Sequence, residues 1–153
     1  MVYTVGEMAK KLKVAPSTLR YYDKEGLLPF VERSSGGMRM FKDEDLEWLL
    51  IIDCLKKAGM PIKEIKIFME WAQRGDVTID QRLQMLLDQR KIVKERLARL
   101  QDTLDILNYK CWYFETAKTA GTTSVPRAMK TEDIPKNVRA YKKKFERLRN
   151  NAK

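Results

Sequence analysis

Histidine is absent from this chain, and only two cysteines occur, Cys54 and Cys111, in separate stretches. A disulfide framework and a common zinc site are therefore excluded, and no metal is expected. There is no apolar run of about eighteen residues and no charged-then-apolar leader. That predicts a cytoplasmic protein with no membrane partner. A glycine-rich phosphate loop is missing, as is any recognisable pair of framed carboxylates. No catalytic residue and no cofactor is expected, and the chain reads as a non-enzyme.

Charge of one sign is plentiful. The 153 residues carry a formal net charge of +10. Its distribution says more than its sum. Residues 1–77 hold thirteen basic and twelve acidic side chains, residues 78–115 seven and six, and residues 116–153 eleven and three. The last segment supplies most of the excess. A basic protein favours nucleic acid or anionic membrane. The N-terminal region is nearly neutral, so the placement of particular basic residues must carry any binding there.

Residues 4–41 read TVGEMAKKLKVAPSTLRYYDKEGLLPFVERSSGGMRMF. Thr4 with Glu7 three positions later forms a capping-box signature, and Val5, Met8 and Leu12 follow on one helical face. After a break at Lys13-Val14, Pro16 sits where a second helix begins, its missing N–H harmless in a first turn. That helix buries Leu19 and leaves Ser17, Thr18, Arg20 and Tyr21 outward, until Gly26 ends it. Phe30-Val31-Glu32 and Met38-Arg39-Met40-Phe41 are expected to pair as a hairpin around Ser34-Ser35-Gly36-Gly37. Two short helices bury too little to stand alone, so the arrangement reads as a presented surface.

TLRYYDKEGLLPFVERSSGGMRMF resembles the winged DNA-binding domain of the MerR family of bacterial transcriptional regulators. LLIIDCLKKAGMPIKEIKIFME, residues 49–70, is similar to that family's second wing of two helices. With the helix after it, the likeness covers about residues 2–115. It implies Ser17 and Thr18 at base edges of the major groove, with Arg20 and Tyr21 on phosphates. Arg39 is implied to face DNA from the wing, and Lys63 to act as a flanking phosphate clamp aided by backbone amides. Tyr22 stays open between a core and a phosphate role, and Arg33 between a phosphate contact and a free surface position. Phe41 stands where the family often has tyrosine, which removes one phenol contact.

Asp43 to Ala58 reads as a helix with Leu46, Leu49, Leu50, Ile52 and Leu55 inward. Gly59 closes it, and Pro61 opens another with Ile62, Ile65, Phe68 and Met69 inward. Thr78 is a candidate cap for the next helix. From Ile79 the apolar positions step four, three, four, three through Leu83, Leu86, Val93, Leu97, Leu100, Leu104, Leu107, Cys111 and Phe114, interrupted only by Arg90. That is a coiled-coil seam, which a small domain cannot cover. A homodimer is expected, and the resemblance makes the pairing antiparallel. The seam residues Leu83 through Cys111 are the expected dimer interface.

The predicted architecture is mainly α: a winged helix-turn-helix domain (1–76), a dimerisation helix (77–115), and a linker with a basic C-terminal helix or tail (116–153). Thr116–Pro126 has linker composition. Ile134, Val138, Tyr141, Phe145 and Leu148 are spaced as one helical face, expected to fold back on the dimer; phosphate binding and an unfolded tail remain alternatives. Membrane docking of this segment has little support elsewhere.

The resemblance implies regulation of promoter DNA with an over-long spacer, bent and untwisted for RNA polymerase in response to an effector. LDILNYKCWYFE and the cysteine in IIDCLKKAGM resemble the compact, aldehyde- and electrophile-responsive branch (the NmlR- and AdhR-like members). They suggest Cys54 as a sensor, with Lys56 and Lys57 able to favour its thiolate if they approach the sulfur. The alternatives are an effector-independent or small-ligand-responsive DNA-binding or architectural protein, with Cys54 a small buried hydrophobe. Cys111 is expected in the core.

Overall fold

Thr4 starts the first helix, α1 (Val5–Leu12), with the anticipated capping box. Its backbone N–H donates to the Glu7 carboxylate at 2.8 Å and its hydroxyl accepts the Glu7 amide. The computed structural model describes residues 1–151. Lys13 ends α1 in the left-handed region, φ +56°, and the turn leads to α2 (Pro16–Lys24), with proline in its first turn. Gly26 takes φ +76°, and the amide of Leu27 donates to the Tyr22 carbonyl. A side chain at position 26 would be strained by the backbone and would press on Lys66.

The wing forms between the expected segments but differs in which residues make up its strands. Strands β2 (Glu32–Arg33) and β3 (Arg39–Lys42) pair Glu32 with Met40 and Arg33 with Arg39. Phe30 and Val31 therefore lie outside the strand. They pack instead against the core beneath, because two apolar neighbours gain more from burial than from an exposed ladder. A third strand, β1 (Val2–Tyr3), lies on the other edge of β3, giving the order β1-β3-β2. Asp43 ties it down, accepting from the Tyr3 hydroxyl at 2.7 Å and pairing with the Met1 amino group at 2.9 Å. These contacts hold the Asp43 carboxyl below its usual range. A two-residue strand carries little hydrophobic pattern, which is why it escapes a sequence reading.

Helices α3 (Asp45–Lys57) and α4 (Ile62–Gln73) close the first core. Met8, Leu19, Leu27, Phe41, Leu49, Ile52 and Ile65 are wholly buried there, and Tyr22 joins them at 2 % exposure. The core reading of Tyr22 thus holds. Phe41 belongs to the same core, where a phenol would have no route to solvent. Leu50 departs from expectation, for it is 52 % exposed. Its neighbours Leu49 and Ile52 already fill the inward arc of α3, and one helical face cannot take all three. Thr78 is also corrected. Its buried hydroxyl donates back to the carbonyls of Trp71 and Gly75, so it fastens the 3-10 turn Gly75–Thr78 to α4 instead of capping the next helix.

Helix α5 (Ile79–Ala120) runs unbroken for 42 residues. The chain divides into two units, the first ending at Lys91 inside this helix. In the first unit, Met85 packs on the core and the Gln89 amide donates to the Ala58 carbonyl at 2.8 Å. Along α5 the seam stays uncovered: Leu83, Leu97, Leu100 and Leu107 are all more than half exposed. Leu86, Val93, Leu104 and Cys111 are exposed as well. Among the described residues, a line of apolar side chains at this spacing is left largely uncovered.

In the second unit, helix extends past the expected linker start, through Ala120, with Ala117 buried. After the short α6 (Ser124–Ala128), α7 (Lys136–Asn151) returns along its own chain's α5. Ile134 and Val138 are buried against Tyr109, with Trp112, Tyr141 and Phe145 around them. The Tyr109 and Phe145 rings lie 5.5 Å apart. Leu148, the outer end of the expected face, remains 39 % exposed. Lys144 clamps α7 to α5, reaching Asp102 at 2.6 Å and Asp105 at 2.7 Å.

That clamp has a pH signature. Hydrogen bonding from Lys144, then from Gln101, holds the Asp105 carboxyl below its ordinary value of 3.8. A depressed carboxyl stabilises the fold above that value and ceases to do so as pH falls through the folded-state pKa. Lys144 is raised above its ordinary 10.5 by Asp102 and Asp105; its contribution is complete below that value and lost as pH rises through the raised pKa. Amide protection factors in residues 136–148, corrected for intrinsic exchange at each pH, should fall on acidification below about pH 4, and Lys144→Met should remove most of that acid dependence. Equal acid dependence in the variant would show that the clamp is not its source.

Candidate nucleic-acid interface

Helix α2 offers a compact polar outer face because Leu19 and Tyr22 take its inner one. Ser17 and Arg20 are exposed, Thr18 is half-buried, and Tyr21 is 40 % exposed. Beside it, a groove of about 430 Å³ runs between the start of α1 (Thr4, Val5, Gly6), Arg20, and the wing residues Gly37 to Met40. The structure therefore brings Arg20 and Arg39 to one groove. An anion with several acceptor oxygens suits such a surface.

Arg39 is placed by a partner that the sequence reading does not single out. Asp23, on α2, pairs with the Arg39 guanidinium and also with Arg33 at 3.3 Å. One carboxylate thus joins both strands of the wing to the helix beside it. The Arg39 side chain is only 21 % exposed, and its Nε is buried with no hydrogen-bond partner. Arg33 is not a free surface residue. The available signal is the acidic residue directly after Tyr21-Tyr22, followed by two arginines across a turn, but strand register has to be known to pair them. Lys56 is a second unforeseen neighbour, its ammonium 5.7 Å from the Tyr21 ring and 5.3 Å from the Tyr22 ring. Burial pushes the Tyr22 phenol above its usual pKa.

Lys63 stands exposed in the first turn of α4 and does not line this groove. Cys54 lies on the outer side of α3 and is exposed, which departs from the alternative of a small buried residue. Cys111 is exposed too, not in a core. The lysines beside Cys54 are engaged elsewhere: Lys57 pairs with Asp53 at 2.6 Å, and Lys56 sits over the tyrosine rings. Among the described residues, no group of three His, Cys, Asp or Glu side chains is placed to hold a metal ion. No helix there is long and apolar enough to cross a membrane.

A winged helix-turn-helix followed by a long helix with an open apolar seam defines a class of regulatory protein. The family description "MerR HTH family regulatory protein" matches residues 3–71, and "MerR, DNA binding" matches residues 46–109. The chain belongs to the MerR family of helix-turn-helix regulatory proteins, and is not an enzyme. It is 44 % identical over 135 residues to an HTH-type transcriptional regulator of Haemophilus influenzae, covering 88 % of this chain and 98 % of that one. It is 33 % identical over 87 residues to the regulator AdhR of Bacillus subtilis, covering 57 % of this chain and 62 % of that protein. Among solved structures, HiNmlR, a MerR family regulator lacking the sensor domain and bound to promoter DNA, superposes with TM-score 0.73 at 45 % identity. That match covers 82 % of this chain and 99 % of HiNmlR. These likenesses support the compact NmlR-like branch.

Asp23→Ala would strand a mostly buried guanidinium and free the wing. We expect a loss of about 1–3 kcal/mol in urea unfolding, the cost of an unsatisfied buried charged donor, and faster amide exchange across Glu32–Lys42. Unaltered exchange in the wing would mean that Asp23 does not anchor it.

Proposed function

We propose that this chain is a cytoplasmic, homodimeric regulator that binds double-stranded promoter DNA in a sequence-specific way. The observation that carries the reading is the groove where Arg20 and Arg39 meet beside the outer face of α2. It is supported by HiNmlR, the similar structure bound to promoter DNA. Ser17 and Thr18 read base edges; Arg20, Tyr21 and Arg39 hold phosphates, and Lys63 clamps the backbone farther out. The exposed α5 seam, Leu83 to Cys111, is the surface through which a second copy binds, antiparallel. A two-fold dimer presents two recognition helices to a pseudo-palindromic site. The dimer bends and untwists an over-long promoter spacer for RNA polymerase, a deformation costing a few kcal/mol, and an effector decides whether the dimer interface supplies it.

One observation favours Cys54 as the place where the effector acts: its thiol is open to solvent on α3. An electrophilic carbonyl carbon would bond to the sulfur while the thiol proton passes to the carbonyl oxygen. Neighbouring lysines give this reading no help, since both are otherwise engaged.

Two measurements test the proposal. Arg20→Ala should weaken binding to the protein's own upstream promoter and to unrelated duplex alike, lowering the slope of log K against log salt by about two, one contact at ~0.9 from each protomer. Unchanged affinity on both duplexes would remove Arg20 from the interface. Separately, an aldehyde should alter promoter untwisting by the wild type, and Cys54→Ser should abolish that response while retaining DNA binding. A response that survives in Cys54→Ser retires the thiol and leaves the regulator in place.

A further inference from the structure

Residues 116–153 carry a +8 excess of charge, far more than the contacts that hold them in place consume. Helix α7 spends its apolar face on α5, through Val138, Tyr141 and Phe145. Three of its cations are also occupied: Lys144 by Asp102 and Asp105, Lys142 by Glu146 at 4.0 Å, and Arg139 by the Ile134 and Glu132 carbonyls. Lys136, Lys143 and Arg147 are different. All three are exposed, and among the described residues none has a carboxylate partner. With Ala140 they step four, three, four along α7. At about 100° per residue that places them on one stripe, turned away from Val138, Tyr141 and Phe145. Ala140, which ends at its Cβ, opens a hollow of about 290 Å³ bordered by Lys143, Lys144 and Arg147. The stripe lies outside the span of either family description, the second of which ends at residue 109.

Three unpaired cations on one face repel one another and contribute nothing to holding α7 down. Their arrangement makes sense as one side of a contact whose other side is a regular row of anions. Membrane is a poor fit, because a helix that lies on lipid needs a free apolar face, and here that face is buried against Tyr109 and Ile134. We propose that the outer stripe of α7, Lys136, Lys143 and Arg147, is a second DNA contact that holds backbone phosphates of duplex flanking the specific site. The choice of DNA as the polyanion rests on the proposed promoter-binding function. The contact is sequence-independent, since point charges on long flexible stems register phosphates, not base edges. It extends the footprint beyond the recognition helices without adding specificity.

The test uses the full chain and the variant Lys136→Gln/Lys143→Gln/Arg147→Gln, whose sites are all exposed, so that its fold can be checked by circular dichroism. Affinity for a long duplex of unrelated sequence is measured across a salt series. Loss of three phosphate contacts in each protomer of the dimer should lower the slope of log K against log salt by about five, at ~0.9 per contact. The ratio of specific to unrelated binding should stay as in the wild type. An identical slope for variant and wild type overturns the inference. So does stripe-dependent binding to poly-glutamate with no effect on DNA, which would assign the surface to an acidic protein. Failure of the wild type to prefer its own promoter would count against the promoter-binding function itself; the slope difference on unrelated duplex would still decide the role of α7.

Discussion

Burial around Phe41, Leu19 and Leu49 is the constraint on which the first unit depends. Helices of eight and nine residues do not persist alone in water, and strands of two residues are weaker still. Each becomes stable only because α3 and α4 supply a common apolar surface. Deep burial of β3 through Phe41 fixes where the wing emerges. Everything offered to a ligand, from Arg20 to Arg39, is thus positioned by side chains that never reach solvent.

A second constraint is electrostatic. Asp23 faces two arginines, Lys144 faces two aspartates, and Asp43 gathers Met1 and Lys11. The Asp43 pairs are exposed and contribute little individually, whereas Asp23 and Asp105 are largely covered. Their value is geometric. Asp23 joins wing to helix, Asp43 joins the N-terminal strand to the turn before α3, and Lys144 joins α7 to α5. Among the described residues, Arg20 on α2, Lys63 on α4 and the outer stripe of α7 lie outside such pairings, whereas Arg39 reaches its groove already held by Asp23.

The long helix shows how the fold prepares for a partner without containing one. An α-helix with apolar residues every three or four positions buries them against something. Among the described residues, α5 finds cover at Met85 and Gln89 in the first unit and around Tyr109 in the second. The open line from Leu83 to Cys111 is continuous and regular, with Arg90 as its polar interruption, and such a line fits a copy of itself.

Much of this is legible in the residues. Capping at Thr4, proline at the start of α2, the glycine stop at Gly26 and the apolar stepping of α5 are local signals, decided within a few residues, and they hold in the folded chain. The failures lie where distant segments compete for the same space. Leu50 reads as inward by its spacing, yet Leu49 and Ile52 already fill that side. The first strand of the wing reads two residues early because periodicity does not reveal register, and β1 is too short to announce itself. Thr78 has the chemistry of a cap but finds closer acceptors in α4. Cys54 fits burial and exposure equally well in the sequence, and the side of α3 that the core claims makes the choice. Sequence alone determined the order of the main helices and the wing, and the family, since these reside in short-range patterns. Tertiary structure decided partners, such as Asp23 for Arg39 and Tyr109 for Ile134, because which side chains meet depends on how distant segments are brought together by a shared core.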